Sequence, residues 1–319
     1  MEIKQSFTRK IKEEICDLDF DEQTSKSILS SFIRINGTIS FSSNGEKLIL
    51  KTENSKVAKF IYSNIKKNYI DADASFSFRK IMKFNKNIQY LVNITSFVDE
   101  ILKDLHIDFL EDKIPFDMTN KDEKVKGYLT GAFLATGSCN DPHSSNYHLE
   151  LATRDEGFSY ALIKLIHKIK DIDFNFKVIQ RRNNFVVYLK KSDQIADFLS
   201  YIDANNSCLD FESIRVNRDF ANVSNRLINM DTYNMKKTIE KGIEQCKQIE
   251  EIDRWLGINN ITNQKLRELC YLRLENKEAN YNDLAEMLSE KIGSKVSKSN
   301  INHLFIKIRE MAEEHKHEY

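Results

Sequence analysis

Net charge is the first thing this sequence lacks. Its 48 lysines and arginines balance 48 aspartates and glutamates over 319 residues, so bulk electrostatics select no partner and only local patterning can. A disulfide framework is lacking too. The five cysteines (Cys16, Cys139, Cys208, Cys246, Cys270) are odd in number, far apart and form no C-x-x-C pair, which predicts free thiols in a reducing cytoplasm. Cys139, His143 and His148 match no zinc template and have no fourth ligand, so no metal or other cofactor is expected. The N-terminal "MEIKQSFTRKIKEEIC" has no apolar signal-peptide core. No apolar run reaches the about 20 residues of a membrane helix. A cytoplasmic protein without membrane contact is expected.

What is present is repetition. "ILSSFIRINGTI" at 28–39 aligns with "YLTGAFLATGSC" at 128–139, pairing Leu29 with Leu129, Ile33 with Phe133 and Gly37 with Gly137. One residue later in register, "KLILKTEN" at 47–54 matches "HLELATRD" at 148–155. A helix follows in each half, with apolar residues at Val57, Ile61, Ile65 and at Phe158, Leu162, Ile166. Two alternating strands come next, "SFSFRKIMKF" and "IQYLVNIT" against "DFNFKVIQRR" and "FVVYLKKS". A short helix closes each half. Each half thus reads helix, hairpin, helix, hairpin, helix, joined by the polar stretch 107–126 with Pro115.

Within "GYLTGAFLATGSCN", Gly127, Gly131 and Ala135 fall on one helix face. Ser27 and Ser31 hold equivalent places in the first half. Glycine inside a helix costs about 1 kcal/mol relative to alanine, which close helix packing offsets. The spacing predicts that the two helices pair across a pseudo-twofold axis, with Gly37 and Gly137 as left-handed C-terminal caps.

Paired helices of the form L-x-G-x-x-x-x-x-G, each followed by two hairpins, resemble the LAGLIDADG homing endonucleases. In that family each helix delivers one acidic residue, just before the terminal glycine, to metals at the scissile phosphates. Here those positions hold Asn36 and Thr136; neither is an acid, so cleavage is not expected. The string "IDADA" at 70–74 imitates the motif but follows the second helix of the repeat. Its counterpart is the turn "DIDF" at 171–174.

Both halves carry basic strands. Four cations and no acid lie between Ala74 and Val98, and five cations and no acid between Phe174 and Ser192. Alternation puts Arg79 and Lys83 opposite Phe76, Phe78, Met82 and Phe84, and Lys177 and Arg181 opposite Phe174, Phe176 and Val178. The apolar faces are expected to cover the helices. The cationic faces offer a secondary DNA or phosphate surface; equally, they serve as solvated, protected sheet edges.

From Arg215 to Lys237 the composition shifts to asparagine. As a helix, Arg218, Asn222, Asn225 and Asn229 share one face. One reading gives Asn225, Arg226 and Asn229 hydrogen bonds to nucleic acid or another domain. The other is a broken helix capped by Asn222 or Asp231.

Near the C-terminus, Thr262 is expected to cap a helix carrying Leu266, Leu269, Cys270 and Leu272. Asn280 caps a second with Leu284, Ala285 and Leu288, and Gly293 turns the chain. Ser297 caps a third with Ile301, Leu304, Phe305 and Ile308. This pattern fits a helix-turn-helix, or a three-helix packing module without DNA contacts. Five cations and no acid occur from Lys291 to Arg309. The candidate DNA-binding residues are Ser297, Lys298, Ser299, Asn302, His303, Lys307 and Arg309.

The whole combination resembles the bacterial WhiA regulators, through "GAFLATGSCNDP" with "YHLEL", "NRLINMDTYNMKKT" and "VSKSNINHLFIKI". The expected fold is α+β: a pseudo-twofold duplicated, degenerate LAGLIDADG-like domain at 1–210 (repeats 23–106 and 123–203), an Asn/Arg-rich helical connector at 211–255, and an all-α helix-turn-helix domain at 256–319. The resemblance implies a non-catalytic, sequence-specific regulator of double-stranded DNA. In the family this role is linked to cell division and chromosome segregation, with sporulation in some lineages; nucleoid location and contacts with other division or transcription proteins go with it. The alternative is an active metal-dependent homing endonuclease.

Overall fold

The computed structural model describes residues 5–42, 45–80, 88–170 and 172–317. They form two compact units, residues 1–218 and 219–319. The first unit opens with α1 (Phe7–Ile15), capped by Ser6 and burying Phe7, Ile11 and Ile15. Thr8 Oγ1 donates to Cys139 O and accepts from Cys139 N, both at 2.9 Å. This helix stands outside the repeat and has no signature in the sequence pattern beyond its four-residue apolar beat.

The first repeat runs α2 (Glu22–Asn36), β1 (Gly37–Ser42), β2 (Gly45–Thr52), α3 (Ser55–Asn68), β3 (Ala74–Lys80), β4 (Ile88–Ile94) and α4 (Val98–Asp104). The second runs α5 (Asp122–Thr136), β5 (Ser138–Cys139), β6 (Leu149–Thr153), α6 (Glu156–Ile166), β7 (Lys177–Arg181), β8 (Asn184–Leu189) and α7 (Ser192–Tyr201). Each half builds one antiparallel sheet, in the orders β1-β2-β4-β3 and β5-β6-β8-β7. Register is shared as well: Leu48 pairs with Ile94 and Leu50 with Val92, as Leu149 pairs with Leu189 and Leu151 with Val187. These inward residues are all buried. The joining segment is shorter than the stretch 107–126 suggests, because α5 starts at Asp122 with acidic residues in its first turn.

α2 and α5 pack along the small-residue faces. A Cβ on Gly127 would lie 2.8 Å from Thr24 O, and one on Gly131 would lie 2.3 Å from Ile28 O. The glycines of α5 therefore rest on the backbone of α2. The expected left-handed caps are not formed: Gly37 and Gly137 have φ of −70° and −59° with extended ψ. Glycine is needed there for a different reason. A Cβ would sit 2.4 Å from Ile33 O at Gly37 and 2.5 Å from Phe133 O at Gly137, because each chain turns straight from helix into strand.

α8 (Asn205–Trp255) contributes residues 205–218 to the first unit and 219–255 to the second. The Glu14 carboxylate caps its start, accepting from Asn206 N (2.6 Å), Ser207 N (2.9 Å) and Ser207 Oγ (2.6 Å). Arg218 donates to Ser144 O and lies 4.9 Å from the centre of the Tyr147 ring. The asparagine-rich segment is continuous helix, so neither Asn222 nor Asp231 caps a break. In the second unit, Ile249 and Ile252 join the core of α9 (Gln264–Glu275), α10 (Tyr281–Ile292) and α11 (Lys298–His317). Among the described residues no helix is long and apolar enough to cross a membrane.

Candidate nucleic-acid interface

The former acid positions end the paired helices. Asn36 Nδ2 donates to Ala135 O across the pair (3.0 Å) and to Lys51 O in β2 (3.2 Å). Thr136 Oγ1 donates to Ala152 O in β6 (2.6 Å). Lys51 and Ala152 are equivalent in the repeat, so both side chains tie a helix end to the matching strand. Both are donors facing carbonyls. An ionised carboxylate has no proton to donate and would oppose these oxygens, so the residues present do not fit the metal site of the endonucleases. Among the described residues no group of three or more His, Cys, Asp or Glu is placed to hold a metal ion. Cys139 is buried, which pushes its thiol up to about 12. His148 Nε2 lies 3.0 Å from Glu150 Oε2, and its ring stacks on Tyr188.

One buried cation at the helix pair is invisible in the repeat pattern. Arg34 is 8% exposed. It donates to Asp155 Oδ2 (3.0 Å) and Glu111 O (2.9 Å) and covers the Phe158 ring at 4.6 Å. It thereby links the first half to the second and to the segment between them. Leu134 holds the equivalent place in α5, so alignment of the halves conceals it.

The three C-terminal helices are set by their caps. Asn263, rather than Thr262, caps α9 by accepting from Leu266 N (3.2 Å); its side chain meets a first-turn amide. Asn280 and Asp283 form a reciprocal capping box on α10. Gly293 ends α10 in the left-handed region at φ 64°. Ser289 Oγ then accepts from Val296 N (2.9 Å), and Ser297 Oγ from Asn300 N at the start of α11 (3.2 Å). Leu284, Ala285 and Leu288 bury against Ile301, Leu304 and Ile308. Arg273, 1% exposed, fixes the turn between α9 and α10 by donating to Asn276 O, Lys277 O and Ala279 O. No periodicity in the sequence marks it.

All seven candidate contact residues, from Ser297 to Arg309, are exposed. Their directions differ. Ser299 and His303 lie on the helix face opposite Ile301, Leu304 and Ile308. Asn302 and Arg309 instead line a cleft of about 160 Å³ with Lys241, Glu244 and Gln245 of α8. Lys291 is paired with Glu268 at 3.2 Å, whereas Lys295, Lys298 and Lys307 make no ion pair among the described residues.

The sheets of the first unit carry the other candidates. Arg79 is exposed and donates to Gln89 Oε1 (2.8 Å); Lys83, with Met82 and Phe84, lies outside the described residues. Phe76 and Phe78 share their face with buried Val92 and Ile94, as alternation requires, yet stay 40% and 63% exposed. The Phe76 ring stacks on Tyr90 of β4, with ring centres 5.9 Å apart. Phe174 and Phe176 are buried, but they precede β7, which starts at Lys177, so the strand is shorter than expected and alternation is not what buries them. Lys177 is exposed, while Arg181 reaches Glu150 Oε2 at 3.3 Å, an acid from β6 on the same sheet. Asn225, Arg226 and Asn229 are exposed along α8.

Comparison with known proteins covers almost the whole chain. The WhiA N-terminal LAGLIDADG-like domain matches residues 22–108, the WhiA LAGLIDADG-like domain 125–221, and the WhiA C-terminal HTH domain 224–312. Relatives named probable cell division protein WhiA, from Bacillus mycoides (strain KBAB4) and Bacillus cereus (strain G9842), are each 38% identical over 314 residues, covering 97% of this chain and 96% of theirs. Among solved structures, full-length DUF199/WhiA from Thermatoga maritima matches with a TM-score of 0.61 at 22% identity, over 97% of this chain and 99% of that one. That likeness concerns the fold alone.

Proposed function

The chain belongs to the WhiA family, and we propose that it is a non-catalytic, sequence-specific DNA-binding regulator that reads duplex DNA with the N-terminal half of α11. The observation that carries this reading is the exposed start of α11. Ser297 caps it, Lys298, Ser299 and His303 are exposed, and the run from Lys291 to Arg309 holds no acid. A helix N-terminus with polar and cationic side chains suits a major groove, where such groups meet base edges and phosphates. The relatives' name supports a role in cell division; the nucleoid as the place of action, and other division or transcription proteins as further partners, belong to the proposal alone.

The donors at Asn36 and Thr136 give the duplicated domain an architectural part. Its outer sheet faces, with Arg79, Lys177 and Arg181, supply a second set of phosphate contacts; Lys83, a further candidate for that role, lies outside the described residues. Asn302, Lys307 and Arg309 flank the reading face, and Asn225 and Asn229 form the polar back of α8.

The test is duplex binding measured at several salt concentrations. Affinity falls steeply as salt rises, and Lys298→Ala combined with Asn302→Ala abolishes the shift. Full affinity in the double variant would remove α11 from the interface. Plasmid incubated with magnesium or manganese stays uncut; metal-dependent nicking would restore the endonuclease reading.

A further inference from the structure

Along the second unit's part of α8, Phe220, Val223, Leu227 and Met230 are 74%, 55%, 53% and 54% exposed. Their spacings are three, four and three, the a/d positions of a heptad repeat. Asn222, Asn225 and Asn229 lie on the opposite face. The asparagine stripe is therefore the polar back of an amphipathic helix whose apolar front has no cover among the described residues. Single exposed hydrophobics need no explanation, but a contiguous stripe at coiled-coil spacing does.

We infer that residues 220–234 of α8 form a parallel two-stranded coiled coil with the same segment of a second copy of this chain. Three features select that occupant. The seam keeps a strict 3.5-residue average, which suits another helix of the same repeat rather than a globular surface. The next a position is Asn234, exposed and polar; one asparagine in an a layer fixes register and favours two strands. Charge agrees with a parallel pair. Arg226 falls at g and Asp231 at the following e, so each Arg226 meets Asp231 of the second copy, twice across the twofold axis. Neither residue has an ion pair within its own chain among the described residues. Lys237, at the next d position, ends the seam with like charge. Arg226 thereby gains a role distinct from DNA contact.

Sedimentation equilibrium of the full chain without DNA tests this independently of the DNA-binding reading. The average mass should rise from one chain toward two with concentration. Leu227→Asp should hold it at one chain throughout, with unchanged helical circular dichroism because the side chain is exposed. Arg226→Asp alone sets carboxylates against Asp231 and should weaken association about tenfold or more. Adding Asp231→Arg to it should restore the wild-type constant. A wild type that stays one chain at high micromolar concentration overturns the inference. So does a dimer indifferent to Leu227→Asp, and a double charge swap that fails to restore association overturns the parallel pairing.

Discussion

At position 31 a serine faces the seam between α2 and α5, and at the equivalent position 131 a glycine does. The same offset of 100 relates Ser27 to Gly127, Arg34 to Leu134, Asn36 to Thr136 and Asp21 to Lys121. Topology, register and the helix-to-strand turn are common to both halves. The side chains that meet at the axis are not. α5 gives up bulk so that α2 can lie against its backbone, whereas α2 keeps side chains and adds a buried arginine. A duplicated fold can thus hold its symmetry in the backbone while its two copies divide the packing and polar work unequally.

The largest effect expected follows from that division. Gly131→Ala gains about 1 kcal/mol of helix propensity but drives a methyl to 2.3 Å from Ile28 O. Backbone cannot step aside as a flexible side chain does, so a net loss of about 2–3 kcal/mol is expected. Ser31→Ala at the equivalent place should be neutral or stabilising by about 1 kcal/mol, because Ser31 Oγ is buried without a hydrogen-bond partner among the described residues. Denaturant unfolding of the two variants measures the contrast. Equal effects would show that the two helices share the close approach evenly.

The former acid positions come next in size. Asn36→Asp exchanges a two-carbonyl donor for a carboxylate and should cost about 2–3 kcal/mol at neutral pH. Burial beside carbonyls raises the introduced carboxyl's pKa above the unfolded value of about 3.9. The ionisation part of the penalty is therefore absent below that value and grows as pH rises past it, leaving in acid only the smaller cost of one lost donor. Thr136→Val should cost about 1 kcal/mol with no pH dependence, since it removes one neutral donor from Ala152 O. Thermal unfolding across pH separates the two. A flat pH profile for Asn36→Asp would mean that its end of the seam opens to water.

Much of this arrangement is legible in the sequence because it rests on period and spacing. The alternation of two-residue and four-residue beats, repeated at an offset near 100, specifies the order of elements in both halves. The helix-turn-helix is legible through Asn280, Gly293 and Ser297, whose side chains or backbone act within a few residues of their own position. What is not legible depends on distant partners. α1 is anchored by Cys139, 131 residues from Thr8. Phe76 and Phe78 alternate correctly, but how much of that face is covered is a tertiary matter. The glycines at 37 and 137 are required by the preceding carbonyl rather than by a positive φ. The apolar seam of α8 is written in its spacing, yet the asparagines beside it draw the eye to the polar face.

The smallest contrast lies at the helix starts. Asp21 caps α2, accepting from Gln23 N (2.8 Å) and Thr24 N (3.0 Å), and its other oxygen accepts from Thr24 Oγ1 (2.5 Å). Lys121, in the same extended backbone conformation, caps α5 with no side-chain hydrogen bond. Asp21→Ala should therefore cost about 1 kcal/mol, and Lys121→Asp should stabilise by about 0.5–1 kcal/mol while bringing the halves into accord. The hydrogen bond from Thr24, with the first-turn amides, holds the Asp21 carboxyl below its ordinary 3.8. Its contribution is thus present above that value and is lost as pH falls through the lower, folded one. The difference in melting temperature between wild type and Asp21→Ala should close in strong acid and persist at neutral pH. A difference independent of pH would assign the effect to helix propensity, leaving the two starts equivalent in their electrostatics.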